Sequence, residues 1–242
     1  MKSLEMDRSA SVAEIIDCLK GLSDPAKAKF KEKKFAIKAG NTLGIYQSDI
    51  NTLARSIGYN SKRAIELYHS GIYEARILCA KTFRPKDLSL NLARNWINDF
   101  ENWEVCDVFC MKLFAASPLA VDIIQSYSEA KGEFERRSSF ATIAGYCSAN
   151  KKAVNSEFQG FLGLIQNASD DERLYVKKAV NWALRSIGKR NKDLQNDVIE
   201  FAEKLKFSDS KAAQWIAKDA LRELTAAKVR ISDYPRSIYR PG

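Results

Sequence analysis

The sequence predicts an all-α fold, an α-solenoid in which pairs or triplets of helices stack into a curved array. Only 11 Gly and 5 Pro occur among 242 residues, which is few for a sheet protein with many tight turns. Apolar residues recur at helical spacing in about a dozen segments, and no segment shows convincing alternation of apolar and polar residues. Short loops that join consecutive helices of this kind are typical of stacked helical repeats.

The composition restricts the class of protein to which the chain can belong and the partners it can have. Apolar residues make up 45% of the chain, enough for one large core, and the formal net charge of +9 favours contact with nucleic acid, an anionic membrane surface or an acidic partner. Five cysteines without paired spacing, no apolar leader and no long apolar run predict a reducing environment. We therefore expect a cytoplasmic protein that is not in a membrane, and nothing demands more than a monomer.

The chain has no obvious linker, so we predict a single domain over residues 1–242. Residues 1–60 would form an N-terminal helical cap, residues 61–225 the repeat core and residues 226–242 an irregular tail. The cap begins with a helix at Val12–Leu22, which Ser11 caps with Glu14 three residues later. A basic helix at Ala26–Lys38 follows, and it is either a DNA-facing helix or an ordinary solvated surface.

The other helices follow from the same periodicity and from Gly, Pro and capping residues at their ends. Ser117 is predicted to cap one of them, with Pro118 at its first helical position. The predicted helices are Gln47–Ile57, Ser61–Tyr68, Ile72–Phe83, Asp87–Phe100, Trp103–Ala115, Leu119–Ser128, Phe134–Ser148, Val154–Gln166, Arg173–Arg190, Asp193–Leu205 and Lys211–Thr225.

One helix, within Val176–Asn191, carries a basic stripe. Its core side is predicted to hold Val176, Val180, Ala183, Leu184 and Ile187. The opposite side holds Lys178, Trp182, Arg185 and Lys189. A tryptophan among three cations suits a polyanion with a planar or hydrophobic element, and nucleic acid is the obvious candidate. The alternative is a solvated face whose tryptophan a neighbouring helix covers.

A second helix places a carboxylate among apolar residues. Trp103 and Asp107 lie at i and i+4 and share a face, which Cys110 and Phe114 continue. Asp107 must then be paired, hydrogen-bonded or raised in pKa. The two thiols of Cys106 and Cys110, with only the distant His69 beside them, do not complete a zinc site, so we expect both cysteines to be small core residues.

Arg137 is the candidate partner of that carboxylate. It lines up with Ala141 and Ala144, which would leave an open floor where something bulky approaches. The alternative for Asp107 and Arg137 is a buried ion pair, which alone is weak evidence of function. Arg136 points elsewhere and is expected to be a surface charge.

Several separated blocks resemble, in the same order, the DNA alkylation repair family, the alkylpurine DNA glycosylases built from HEAT-like helical repeats. The resemblance covers roughly Ser61–Thr225. The blocks are SGIYEARILCA at Ser70–Ala80, W-x-x-x-D at Trp103–Asp107, ERRSS around Arg137, KKAVNWALR at Lys177–Arg185 and WIAKDALRELT at Trp215–Thr225.

The resemblance implies a concave basic groove that holds duplex DNA containing alkylated purines. It implies that Trp103 and Trp182 are the two aromatic residues and Asp107 the carboxylate at the deoxyribose, with Arg137 at a backbone phosphate. Lys178, Arg185 and Lys189 would add contacts to DNA. The implied reaction is hydrolysis of the N-glycosidic bond of N7- and N3-alkylpurines without a base-insertion pocket, unlike most glycosylases. It needs no metal and no cofactor.

Two alternatives remain beside this glycosylase hypothesis. Related branches of the family bind branched or distorted DNA without catalysis, and the chain departs from some members at Asn102 and Phe134, where an indole is found. A HEAT-like scaffold for another protein is the third possibility, which the basic charge disfavours.

Overall fold

The structure is a computed structural model that describes residues 5–35, 37 and 40–241. Two short 3-10 turns, Pro85–Asp87 and Phe114–Ala116, accompany the α-helices. The helices are α1 (Val12–Gly21), α2 (Pro25–Phe35), α3 (Gln47–Ile57), α4 (Ser61–His69), α5 (Tyr73–Thr82), α6 (Leu90–Asn98), α7 (Trp103–Lys112), α8 (Ala120–Tyr127), α9 (Glu133–Ala149), α10 (Asn155–Ala168), α11 (Leu174–Gly188), α12 (Lys192–Leu205), α13 (Lys211–Leu224) and α14 (Arg236–Tyr239).

Alternate helices form a continuous layer. Helices α3, α5, α7, α9, α11 and α13 pack side by side in that order. The even-numbered helices pack against this layer, α4 on α5, α6 and α8 on α9, and α10 and α12 on α11. No strand occurs in the described ranges, and the predicted α-solenoid is confirmed. None of the described helices is long and apolar enough to cross a membrane.

Helix α9 lies where the two hydrophobic clusters of the core meet. Every residue from Arg137 to Cys147 is buried. Ala141 belongs to the first cluster, which runs back to α1, while Phe140 and Ile143 belong to the second, which runs on to α13. A helix buried all round lacks the polar stripe of a surface helix, so α9 is an inner helix of the array.

Several predicted elements are confirmed because their signals are local. Ser11 and Glu14 form the predicted capping box of α1. Helix α3 has the predicted bounds, and Gly58 follows it at φ 65°, a backbone region that favours glycine. The predicted core side of α11, from Val176 to Ile187, is fully buried.

Other boundaries differ from the prediction. Ser89 caps α6 by accepting a hydrogen bond from the Leu92 amide, so the helix starts later than Asp87. Ser117 does not cap α8, because its hydroxyl donates to the Phe114 carbonyl at 2.8 Å within the preceding 3-10 turn. The predicted end of the basic helix at Lys38 lies outside the described residues.

The C-terminal segment, predicted to be irregular, contains the one-turn helix α14. The amides of Ser232 and Tyr234 donate to the carbonyls of Lys189 and Arg190 at 2.9 Å. The Tyr239 hydroxyl donates to Asp193 at 2.6 Å. These bonds join the segment to the end of α11 and the start of α12, contacts that no local sequence pattern predicts.

Candidate nucleic-acid interface

Asp107 of α7 and Arg137 of α9 form a two-point ion pair. The Arg137 Nε and Nη2 atoms donate to the two carboxylate oxygens of Asp107, each at 2.8 Å. The remaining Nη1 donates to the carbonyl of Tyr175, in the first turn of α11, at 2.6 Å. Arg137 therefore ties three helices together and fixes the orientation of Asp107.

Burial distinguishes the two partners. The side chain of Arg137 is 7% exposed and that of Asp107 is 19% exposed, so the carboxylate is the part that faces outward. Burial raises the pKa of the Asp107 carboxyl above its ordinary value, and the Arg137 guanidinium opposes that rise. The structure therefore contains the buried ion pair that was the alternative interpretation of Asp107 and Arg137. Three of the five N–H donors of Arg137 are thus used within the protein.

Asp107 opens into a cavity of about 450 Å³, which we call the central cavity. It brings together four of the predicted site residues from two helices, α7 and α11. Its lining residues are Asp107, Lys178, Asn181, Trp182, Arg185, Trp215 and Asp219. Arg137 lies behind Asp107, and Lys189 lies one turn beyond Arg185; neither lines the cavity.

The two predicted tryptophans occupy different positions. Trp182 is half-buried and lines the cavity beside Asp107. Trp103 is the first residue of α7, one turn before Asp107, and it is also half-buried against the first hydrophobic cluster. Trp103 does not line the central cavity in this structure.

The basic stripe of α11 is partly neutralised by α13. Lys189 contacts Glu223 at 2.6 Å, and Arg185 pairs with Glu223 and lies 3.6 Å from Asp219. In the part of the chain that the structure describes, Lys178 is the stripe cation that has no carboxylate within ion-pair distance. It is also exposed, which makes it the stripe cation most available to a polyanion.

Helix α13 adds two cavity residues that sequence reasoning missed. Trp215 is 40% exposed, and the Lys177 Nζ atom lies 5.7 Å from its ring centroid. The Asp219 carboxylate accepts a hydrogen bond from the side-chain amide of Asn181 at 2.7 Å. The signal was present, because Trp215 and Asp219 repeat the spacing of Trp103 and Asp107.

Two other expectations for this region were wrong. Ala141 and Ala144 are buried, so they form no open floor next to Arg137. A Cβ on the adjacent Gly145 would meet the Ala115 side chain at 2.7 Å, which shows how closely α9 approaches the end of α7. Arg136 is not a free surface charge: it contacts Asp171 at 2.8 Å and donates to the Ser128 carbonyl.

The cysteines form no disulfide in the described residues, and none of them lines the central cavity. Cys106 and Cys110 are fully buried, as predicted for small core residues, and contact Ser138 of α9. Burial raises the pKa of the Cys106 thiol well above its usual value. The described residues contain no group of three or more His, Cys, Asp and Glu side chains that could hold a metal ion.

Solved structures similar to this chain include one with the same architecture. One solved structure is a protein of "a new family of proteins related to the HEAT-like repeat DNA glycosylases with affinity for branched DNA structures". It has a TM-score of 0.69 at 19% identity and covers 88% of this chain and 95% of its own. Two designed armadillo repeat proteins give TM-scores of 0.39 and 0.35 at 16% and 18% identity. They cover 89% and 90% of this chain and 95% and 89% of their own.

A comparison with curated proteins finds no match. The protein family described as "DNA alkylation repair enzyme" matches residues 15–224, which run from α1 to the end of α13. This match includes both faces of the central cavity, from Asp107 to Asp219. The chain therefore belongs to the DNA alkylation repair enzyme family.

Proposed function

We propose that this protein is a DNA glycosylase that hydrolyses the N-glycosidic bond of N7- and N3-alkylated purines in duplex DNA. The observation that carries the proposal is the Asp107 carboxylate, which opens into the central cavity beside Trp182 while Arg137 holds it from behind. This arrangement supplies a fixed negative charge next to an aromatic face and exposed cations.

The chemistry needs little more than that charge. An N7- or N3-alkylpurine is already cationic, so it leaves without a proton from the protein. The sugar then develops oxocarbenium character, which a carboxylate beside it stabilises. A carboxylate has about four lone-pair positions, and Arg137 occupies two of them, so Asp107 retains acceptors that can orient the attacking water.

The aromatic residues suit a cationic substrate. Trp182 and Trp215 line the cavity on α11 and α13, and indole faces attract cations and polarised C–H groups. Lys178 lies at the same cavity without a carboxylate partner in the described ranges and is placed to contact a phosphate. In this proposal the residues act at the sugar and the backbone, so the base need not enter a dedicated pocket.

Release of free base from methylated duplex DNA, resolved by chromatography, tests the proposal. We expect wild type to release 7-methylguanine or 3-methyladenine and Asp107→Asn to release neither, while DNA binding stays near normal. Asp122→Asn is the matched control, because Asp122 is an exposed carboxylate on α8 away from the cavity. Thermal unfolding of each variant shows whether a loss of activity reflects a loss of fold.

A wild-type rate in a folded Asp107→Asn variant would remove this residue from the mechanism. Trp182→Phe provides a second check, since it keeps an aromatic face in the cavity and should retain part of the activity. If Trp182→Ala were as active as wild type, the aromatic role assigned to the cavity would be wrong.

The second candidate function is non-catalytic binding of branched or distorted DNA. The observation that favours it is the mutual satisfaction of Asp107 and Arg137, because such a pair also serves as a purely structural link between helices. The solved neighbour with a TM-score of 0.69 comes from a family with affinity for branched DNA. Wild-type protein that binds junctions tightly and releases no alkylated base would establish this function instead.

A further inference from the structure

A second cavity, larger than the first, lies at the C-terminal end of α7. Its volume is about 830 Å³, and the end of α3, the α3–α4 loop and the C-terminal ends of α5 and α7 form its walls. We call it the basic cavity, because its lining contains no carboxylate and five cationic side chains: Arg8, Arg55, Lys81, Arg84 and Lys112. None of the five forms an ion pair within the described ranges.

Helix dipoles explain only part of this charge. Three helices end here, α3 at Ile57, α5 at Thr82 and α7 at Lys112, and each C-terminus carries roughly −0.5 of a charge. Their sum of about −1.5 leaves most of five positive charges without compensation. Burial lowers the pKa of Lys81 to about 8, and the positive charge of the nearby Lys112 adds to that shift.

An aromatic ring completes the lining. Tyr59, in the loop between α3 and α4, is 59% exposed at the cavity. Its neighbours are fixed, since the Gly58 amide donates to the Ala54 carbonyl at 3.1 Å and the Asn60 amide donates to the Thr82 carbonyl at 2.9 Å. The backbone that carries the ring is therefore anchored on both sides of Tyr59.

The part of the wall that carries Arg8 is also preorganised. The buried Arg63 guanidinium donates to the carbonyls of Arg8 and Ala10 at 2.7 and 3.1 Å. It also donates to the carbonyls of Ile57 and Gly58 at 2.6 and 3.2 Å. One buried side chain thus positions both the segment that carries Arg8 and the loop that carries Tyr59.

From this combination we infer that the basic cavity is a second nucleic-acid site, which takes the phosphates of a single strand and stacks one of its bases on Tyr59. A positively charged groove with an aromatic platform is the usual chemistry of single-strand binding. The inference goes beyond base release and does not depend on it. Lys112 follows Asp107 by five residues, roughly 7.5 Å along the axis of α7.

Fluorescence anisotropy with a short oligothymidylate, a blunt duplex and the same duplex with a single-stranded tail tests this site. We expect the wild type to bind the tailed duplex more tightly than the blunt one. The double variant Arg84→Ala/Lys112→Ala should lose that gain and reduce the salt slope for the oligothymidylate by about 1.4, which corresponds to two phosphate contacts. Tyr59→Ala should weaken oligothymidylate binding about five- to hundredfold, and Tyr59→Phe should restore it.

The charge-matched control is Lys152→Ala/Lys228→Ala, since both lysines are exposed, neither forms an ion pair in the described ranges and neither lines the central or the basic cavity. An equal loss in the control and cavity variants would show that the cavity cations act only through the net charge of the protein. An equal loss for blunt and tailed duplexes would assign the cavity to double-stranded DNA. Competition by inorganic phosphate with no effect of Tyr59→Ala would make it a site for phosphate alone. Each of these results would overturn the single-strand site.

Discussion

The central cavity and the basic cavity differ in how their charges are compensated. Two carboxylates, Asp107 and Asp219, face Lys178 and Arg185 in the central cavity, and most of these groups are already hydrogen-bonded to protein. The basic cavity contains cations alone. Both lie along α7, so the same helix separates a region of paired charges from a region of unpaired ones.

This difference indicates that the two cavities have different functions. Paired charges hold side chains in fixed geometry, which a reaction at a sugar requires, and they contribute little net attraction for a polyanion. Unpaired cations attract phosphates and impose little geometry on them. We therefore expect substitutions in the central cavity to affect folding and chemistry, and substitutions in the basic cavity to affect binding and its dependence on salt.

The largest effect is expected at Arg137. Arg137→Ala leaves Asp107 without its charged partner and the Tyr175 carbonyl without a donor, which should lower the free energy of unfolding by about 3 kcal/mol. Urea unfolding measures this loss of stability. Arg84→Ala, the matched loss of an arginine from the basic cavity, should cost less than about 0.5 kcal/mol, since Arg84 is exposed. Equal losses of unfolding free energy in the two variants would contradict the proposed difference between the cavities.

The two cavities should also respond to pH in opposite directions. Base release needs the Asp107 carboxylate, whose pKa burial raises, so the rate should fall as pH falls through that raised value. In acid below that pKa, each pH unit should cost up to about tenfold. Base release after subtraction of the uncatalysed rate measures this, and a flat profile in acid would contradict a role for the carboxylate.

In the basic cavity, oligothymidylate binding should weaken as pH rises through about 8, where Lys81 loses its proton. Arg55, Arg84 and Lys112 keep the site cationic, while Glu104 opposes the lowered pKa of Lys81. Lys81→Arg should remove the loss of oligothymidylate binding at alkaline pH. It should not change the fall in the base-release rate in acid. A wild-type profile that stays flat between neutral and alkaline pH would remove Lys81 from the site.

Sequence reasoning succeeded where the signal is local. The core side of α11 and the bounds of α3 follow from spacing within one helix, and a residue's burial in such a helix depends mainly on which side it occupies. The requirement that Asp107 be paired or raised in pKa also followed from its apolar neighbours, and the structure has both features.

The rest depends on contacts between distant residues. Nothing in the stripe of α11 shows that Glu223 of α13 approaches Arg185 and Lys189, because the two helices meet only in the folded stack. The cations of the basic cavity are scattered from Arg8 to Lys112, so no window of sequence contains them. A list of basic residues therefore gives a net charge but not the places where that charge remains unpaired.

The smallest expected effect concerns the lysines of α11, one of which is paired with a carboxylate and one of which is not. Lys178→Ala should weaken binding to duplex DNA for every sequence alike and lower the salt slope by about 0.9, because an unpaired exposed lysine can neutralise one phosphate. Lys189→Ala removes the same charge from the same helix, but Glu223 already contacts it, so the slope should change less. Binding titrations at several salt concentrations distinguish the two. If Lys189→Ala lowered the slope as much as Lys178→Ala, DNA would be able to displace Glu223, and paired cations would have to be counted as part of the interface. If neither variant moved the slope, this side of α11 would not contact DNA, and the basic cavity would be left as the main source of phosphate binding.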